Sequence, residues 1–152
     1  MEDEARDAAA HRVERVFTDV PRPSNDELLH PRCADDGDIQ ALYPIARWQD
    51  VPDDVVEREY AALSFLSADG FRQFLPAYLL FVLRHEDEGQ AVIGSTLAAL
   101  DPARYSEDLE AFQRSKYVSL TAPEREAIAA FVRAMADHDE IGGAVGEWAA
   151  GT

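Results

Sequence analysis

The apolar positions of this chain recur with the period of an α-helix. Near the N-terminus, four apolar side chains between Val13 and Val20 fall at i, i+3, i+4 and i+7, which predicts an amphipathic helix over residues 3–18. No stretch combines alternating apolar and polar residues with a hairpin turn. The pattern therefore predicts an all-α fold, a compact bundle of five to seven helices.

The strongest helical pattern lies in the middle of the chain. Its stripe at i, i+3, i+4, i+7, i+8 and i+11 consists of Phe71, Phe74, Leu75, Tyr78, Leu79 and Val82. Ser67 stands where the N-cap of this helix is expected. Leu80, Phe81 and Leu83 make the C-terminal half apolar nearly all round. This distribution is typical of a central helix that packs against neighbours on several sides.

Pro76 lies inside this predicted central helix. Proline has no amide hydrogen and its ring clashes with the preceding turn, so the carbonyl of Arg72 is left without its usual partner. We therefore expect the central helix to be kinked or broken at Pro76.

One helix is predicted before the central helix and one after it. Acidic residues at residues 50–54 suit the positive end of a helix dipole, and the helix that follows should bury Val56, Tyr60 and Leu63. After the central helix, residues 90–100 carry apolar side chains along one face and end before a proline.

Two more helices begin at capping residues. Ser106 is followed by acidic residues and starts a short helix that should present Leu109 and Phe112 to the core. Thr121 and Glu124 form the T-x-x-E pattern of a capping box. The apolar face of this last helix consists of Ile128, Phe131, Val132 and Met135.

Three segments lack a hydrophobic period. Residues 21–38 form the longest predicted loop, and Asp38 should cap a short apolar piece over residues 39–43. The run Glu86, Asp87 and Glu88 is interpreted as a solvated turn. Residues 138–152 are acidic and then glycine-rich, which predicts a short frayed helix or a loosely docked tail. Without an internal repeat or boundary, residues 1–152 are predicted to form a single domain.

Charge restricts the possible partners. The 152 residues include 30 acids and 14 basic residues, for a net charge of −16, and one cysteine. Nucleic acids and anionic membranes are bound through clusters of Lys and Arg, so this balance argues against both, and it disfavours phosphorylated substrates. The longest apolar stretch is about half of the roughly 20 residues that a membrane span needs. We expect a cytoplasmic protein without a disulfide bond.

Several strings of residues resemble a family of small, mostly bacterial proteins of unknown function. They are VFTDVPRP from residue 16, R-W-x-D-V-P at 47–52, Y-x-A-L-S-F-L-S at 60–67, F-R-Q-F-L-P-A-Y-L at 71–79 and S-L-T-x-x-E-R-E-A-I-x-x-F at 119–131. The string at 71–79 is the most distinctive. The resemblance runs from about residue 16 to residue 135. It implies a helical fold and carries no established activity.

The sequence contains no recognisable catalytic or cofactor motif. Nucleophile elbows, phosphate-binding loops and dinucleotide fingerprints are absent. His30 and Cys33 give one H-x-x-C step without the second ligand pair that zinc requires. Asp35, Asp36 and Asp38 flank a glycine, but Tyr occupies the position where a calcium loop needs Glu. We expect neither a metal nor a cofactor, and an enzyme is the less favoured class of protein.

Arg72 is the most unusual polar residue of the central helix. Its guanidinium is flanked by two phenylalanines and can either pair with a carboxylate or cap the backbone carbonyls freed by Pro76. A structural ion pair is more common in such a position than a ligand-binding arginine. The competing interpretation is a pocket beside the Pro76 break that includes Arg72, Tyr78 and His85. Trp48 is interpreted as a core residue whose indole N–H needs a partner.

Two functional classes follow from these features. The favoured hypothesis is an interaction protein, similar in kind to an inhibitor or immunity protein, whose acidic surface binds a basic protein partner. Within that surface Asp35, Asp36 and Asp38 are the candidate contacts, because they lie in the irregular loop. The alternative is a small-molecule-binding protein or enzyme that uses the pocket beside Pro76. The sequence leaves the partner, the ligand and the oligomeric state open.

Overall fold

The computed structural model describes residues 2–85 and 89–149. Its six α-helices are α1 (Glu2–Val16), α2 (Asp53–Arg58), α3 (Ala68–Arg84), α4 (Gln90–Ala99), α5 (Glu107–Arg114) and α6 (Ala122–Ala134). Short 3-10 turns and a C-terminal π-helical turn, Val145–Ala149, complete the architecture. Within the described ranges no strand forms, which confirms the all-α prediction. The predicted turn at residues 86–88 lies outside the described residues.

The central position of α3 is confirmed. All of its residues from Phe71 to Leu83 are buried except Arg72, and it contacts α1, α2 and α4. At its start the amide of Gly70 donates to the hydroxyl of Ser67 over 3.1 Å, which confirms the predicted N-cap. Burial on every side lets packing, rather than helix propensity, hold this helix together.

The helix does not break at Pro76. It runs without interruption from Ala68 to Arg84, so the prediction of a break is wrong, while a bend at this point stays a prediction. The loss of one backbone hydrogen bond is local, whereas the apolar contacts of α3 extend over its whole length. Packing on both sides of Pro76 therefore maintains the helix through it.

One carboxylate joins α3 to α6. Glu124 accepts from the amide of its N-cap Thr121 over 2.9 Å, and Thr121 accepts in return from the amide of Glu124, so the predicted capping box is confirmed. The same carboxylate accepts from Nε of Arg72 over 2.8 Å and from its Nη2 over 2.9 Å. Glu124 is therefore the carboxylate partner of Arg72, 52 residues away in the sequence.

The region between α1 and α2 is irregular but firmly attached to the core. Arg22 donates from Nε to the carbonyl of Ile45 and from Nη2 to those of Leu42 and Tyr43. Its guanidinium also lies 5.7 Å from the centre of the Phe74 ring. Arg22 thus donates hydrogen bonds to the carbonyl groups at the end of a 3-10 turn. Without Arg22 these carbonyl groups would need water as a donor.

Trp48 is buried, as predicted, and its polar edge is satisfied. Its indole N–H donates to the carbonyl of Phe17 over 2.8 Å. Its backbone amide donates to the side chain of Gln73, which in turn donates to the carbonyl of Val20. The buried amide of Gln73 therefore connects three parts of the chain.

Some predicted contacts are wrong. Tyr60 is 45% exposed because α2 already ends at Arg58, so the helical period does not extend to it. Leu109 is 52% exposed, while α5 turns the buried side chain of Gln113 inward, where its amide donates to the carbonyl of Ala99. Asp38 is not the cap of the turn at residues 40–42, because Ile39 occupies that position.

The C-terminal segment lies against the helices. The indole of Trp148 donates to the carbonyl of Leu100 over 2.8 Å, and its ring centre lies 4.8 Å from that of Tyr117. The amide of Gly143 donates to a carboxylate oxygen of Asp101 over 2.9 Å.

Nowhere in residues 2–85 and 89–149 does a helix combine the length and apolar character that crossing a membrane requires.

Candidate functional site

The candidate site begins where the loop after α1 crosses the chain before α3. The amide of His30 donates to the carbonyl of Phe65, and the amide of Ser67 donates to the carbonyl of Leu28, each over 2.8 Å. Gly70 permits this approach, because a Cβ there would lie only 2.9 Å from the carbonyl oxygen of Leu28. The crossing places residues 26–31 beside the N-terminus of α3.

A groove of about 530 Å³ opens at this crossing. It is lined by Asp26, Glu27, Leu29, His30, Pro31, Ser67, Ala68, Asp69, Ser115 and Ser119. Its carboxylates, Asp26, Glu27 and Asp69, are exposed, and none of them forms an ion pair with a basic residue of the described ranges. We call this feature the acidic groove.

The hydroxyl donors of the acidic groove are used within the protein. Ser67 donates to the carbonyl of Glu27 over 2.6 Å, and Ser119 donates to the carboxylate of Asp69 over 2.7 Å. Ser115 donates to the carbonyl of Phe112 over 2.6 Å. Because these hydroxyl protons already have acceptors within the protein, the acidic groove offers mainly acceptor oxygens to a ligand.

Both ring nitrogens of His30, like the serine hydroxyls, form hydrogen bonds within the protein. Its Nδ1 accepts from the backbone amide of Arg32 over 3.1 Å, so the neutral ring carries its proton on Nε2 and donates it to the hydroxyl of Ser115 over 3.2 Å. Burial lowers the pKa of His30, and the positive charges of Lys116 and Arg32 lower it further. A ring that donates to Ser115 cannot take its proton, so this pair is not a nucleophile and base.

Lys116, the single lysine among fourteen basic residues, is fully buried near this site. Its Nζ donates to the carbonyls of Leu63 and Ser64, over 3.2 and 2.5 Å, and lies 4.2 Å from the centre of the Phe112 ring. Burial lowers its pKa to about 8. The hydrophobic pattern gives Lys116 no role, although a lone lysine in an arginine-rich chain was a visible signal.

The candidate contacts in the loop are partly engaged in local structure. Asp36 accepts from the hydroxyl of Tyr43 over 2.9 Å and from the amide of Gln40 over 3.2 Å, and the bond from Tyr43 is the main cause that lowers its pKa. Asp35 accepts from the amide of Gly37 over 2.8 Å, which closes a turn. Asp38 is exposed.

The three residues proposed for a pocket beside Pro76 are bound to three separate partners. Arg72 pairs with Glu124, the hydroxyl of the buried Tyr78 donates to the carbonyl of Glu59 over 2.7 Å, and Nε2 of His85 lies 2.9 Å from a carboxylate oxygen of Asp53. Arg72 and His85 are about 20 Å apart along α3, at 1.5 Å per residue. The structure therefore does not assemble them into one site.

The H-x-x-C step is a turn of the loop. The amide of Cys33 donates to the carbonyl of His30 over 2.9 Å, and the thiol of Cys33 is partly buried and unpaired with another cysteine. In the part of the chain that the structure describes, no three or more His, Cys, Asp or Glu side chains converge as metal ligands would.

The fold and the groove define an all-helical protein with an acidic, acceptor-rich surface site. The chain belongs to the family of unknown function DUF6714, which it matches over residues 5–150. This membership confirms the resemblance to a family without an assigned activity. No significant match is found among curated proteins or among solved structures.

Proposed function

We propose that this protein is a non-enzymatic interaction protein whose acidic groove binds a basic side chain of a protein partner. The observation that carries the proposal is the chemistry of the groove: Asp26, Glu27 and Asp69 have no basic partner in the described residues, while the neighbouring hydroxyls donate to acceptors of the protein itself. An Arg or Lys side chain brings the donors and the positive charge that this surface lacks.

The charge of the whole chain supports the same partner. A net charge of −16 attracts a cationic protein over long range and accelerates the encounter, while the acidic groove supplies the specific contact. Steering and docking are separable, because the long-range field depends on total charge and the contact depends on position. The test therefore compares variants of equal charge.

The probe is a short, fluorescently labelled Arg-rich peptide, whose binding is followed by fluorescence anisotropy at low and at high salt. The groove variant carries Asp26→Asn, Glu27→Gln and Asp69→Asn. Its affinity is expected to fall by about tenfold, since each exposed ion pair contributes up to about 1 kcal/mol. The Asn at residue 69 retains an oxygen that can accept from Ser119.

The matched control neutralises three exposed acids of α1, as Asp3→Asn, Glu4→Gln and Asp7→Asn. It changes the net charge by the same amount and should reduce affinity only slightly. Equal losses in both variants would show that a diffuse field, and no specific groove, attracts the peptide. Thermal midpoints of both variants check that the fold is intact.

The loop acids remain a competing location for the contact. A third variant carries Asp35→Asn, Asp36→Asn and Asp38→Asn at the same change of charge. Because Asp36 is already held by Tyr43 and Gln40, we expect a smaller loss of peptide affinity than in the groove variant. A larger loss would move the proposed contact from the acidic groove to this loop.

The alternative, a small-molecule-binding protein or enzyme with a pocket beside Pro76, receives less support. Arg72 and Tyr78 already use their polar atoms for Glu124 and Glu59. A ligand there would have to compete with a buried, bidentate ion pair.

A further inference from the structure

A second groove of about 320 Å³ runs along α6, next to α1 and the C-terminal π-helical turn. It is lined by Arg12, Arg125, Glu126, Ala129, Arg133 and Trp148. The lining includes three arginines and one acidic residue, although the whole chain has a net charge of −16. We call this feature the arginine groove.

The sequence of α6 builds the arginine groove directly. Arg125, Ala129 and Arg133 follow one another at i, i+4 and i+8, which places them along one face of the helix. Ala129, between the two arginines, is buried. Packing of α1 against α6 adds Arg12, and the π-helical turn adds Trp148 as an aromatic wall.

Arg12 and Arg125 are held in place without being neutralised by buried acids. Arg125 donates from Nη2 to the carbonyl of Tyr117 over 2.6 Å, and its guanidinium lies 6.0 Å from the centre of the Trp148 ring. Arg12 pairs with Glu126 over 3.1 Å, but the two side chains are 39% and 68% exposed. Exposed ion pairs are weak, so the carboxylate of a ligand can replace that of Glu126.

From this arrangement we infer that the arginine groove binds a small molecule with a single carboxylate on a flat, apolar body. Arg12 and Arg125 supply the donors for the carboxylate, and Trp148 supplies a surface for the apolar body. The field of the acidic chain repels an anion in proportion to its charge. A monoanion is therefore favoured over a phosphate, which carries more charge.

The test is a titration with benzoate and, separately, with inorganic phosphate at equal ionic strength, followed by tryptophan fluorescence. Trp148 lies in the arginine groove, whereas Trp48 is buried with its indole bound to Phe17, so a saturable change reports on the groove. We expect saturable binding of benzoate. Arg125→Gln should weaken it by about tenfold, because a charged donor to a carboxylate is lost.

Two further variants separate binding from folding. Glu126→Gln removes the competing carboxylate and should tighten benzoate binding, an effect that loss of structure could not produce. Arg47→Gln removes an exposed arginine that pairs with Asp50 outside the groove and should leave binding unchanged. If the Arg125→Gln variant does not fold, the expected increase in benzoate affinity of the Glu126→Gln variant is the deciding measurement.

Three results would overturn the inference. The first is the absence of a saturable response to benzoate. The second is an equal response of the Arg125→Gln and Arg47→Gln variants, or weaker binding by Glu126→Gln. The third is binding of phosphate at least as tight as that of benzoate, which would refute the assignment of a carboxylate ligand.

Discussion

Raising the pH from 7 to 9.5 should stabilise this protein, because Lys116 is buried. Its pKa is about 8 in the folded protein and 10.5 in the unfolded chain. Burial is the main cause of this decrease, and an interaction with Cys33 acts in the opposite direction. Between the two pKa values the unfolded chain binds more protons than the folded protein does, so the free energy of unfolding rises with pH.

The expected magnitude follows from the two pKa values. Little changes below pH 8, where both states carry the proton, and each further pH unit adds up to about 1.4 kcal/mol. Between pH 7 and 9.5 the gain should be about 2 kcal/mol. Above about pH 10 the trend should reverse, since burial raises the pKa values of Tyr78 and Tyr117 and only the unfolded chain ionises these groups.

The assay is urea denaturation, followed by far-UV circular dichroism, at several pH values and constant ionic strength. The control is Lys116→Met, in which the increase between pH 7 and 9.5 should disappear. The comparison uses the change with pH within each variant, so the unknown cost of the substitution does not affect it. A constant or falling stability of the natural protein in this range would refute the reasoning.

A second measurement gives the pKa directly. The chain has one lysine, so labelling lysine with ¹³C at Cε yields a single side-chain signal for nuclear magnetic resonance. Its chemical shift should titrate with a midpoint near 8 in the folded protein. A midpoint near the ordinary value of 10.5 would show that Nζ is solvated, contrary to its contacts with the carbonyls of Leu63 and Ser64.

Two further predictions concern the core and the absence of a metal requirement. Phe74→Ala should lower the free energy of unfolding by about 3–5 kcal/mol, because the ring is fully buried in the middle of α3; a loss below about 1 kcal/mol in chemical denaturation would contradict this burial. Treatment with a chelator should leave the thermal midpoint unchanged, since the described residues show no convergent set of metal ligands, and stabilisation by one divalent ion alone would contradict it.

The local parts of this fold were predictable from the sequence because their causes are local. The cap at Ser67 and the capping box of Thr121 and Glu124 each involve residues within one helical turn. The buried stripe of α3 repeats with the period of the helix, so its burial follows from spacing alone. Where the helix ended early, as before Tyr60, the same reasoning failed because the period no longer applied.

The two grooves depended on the tertiary structure. The acidic groove joins residues 26–31, 67–69 and 115–119, and the arginine groove joins α1, α6 and the C-terminal turn. In the sequence, each of these segments shows only ordinary surface residues. A groove forms where segments that are distant in the sequence lie close together, and hydrophobic periodicity does not indicate which segments these are.

The sequence by itself determined that the chain is acidic, helical and built around the segment from Phe71 to Leu83. It also indicated that Arg72 needs a partner, because a partly buried charge is costly without one. Only the tertiary structure decided that the partner is Glu124 among 30 acidic residues. The physical reason is that the hydrophobic period indicates which face of a regular helix is buried, whereas long-range packing determines which buried groups meet.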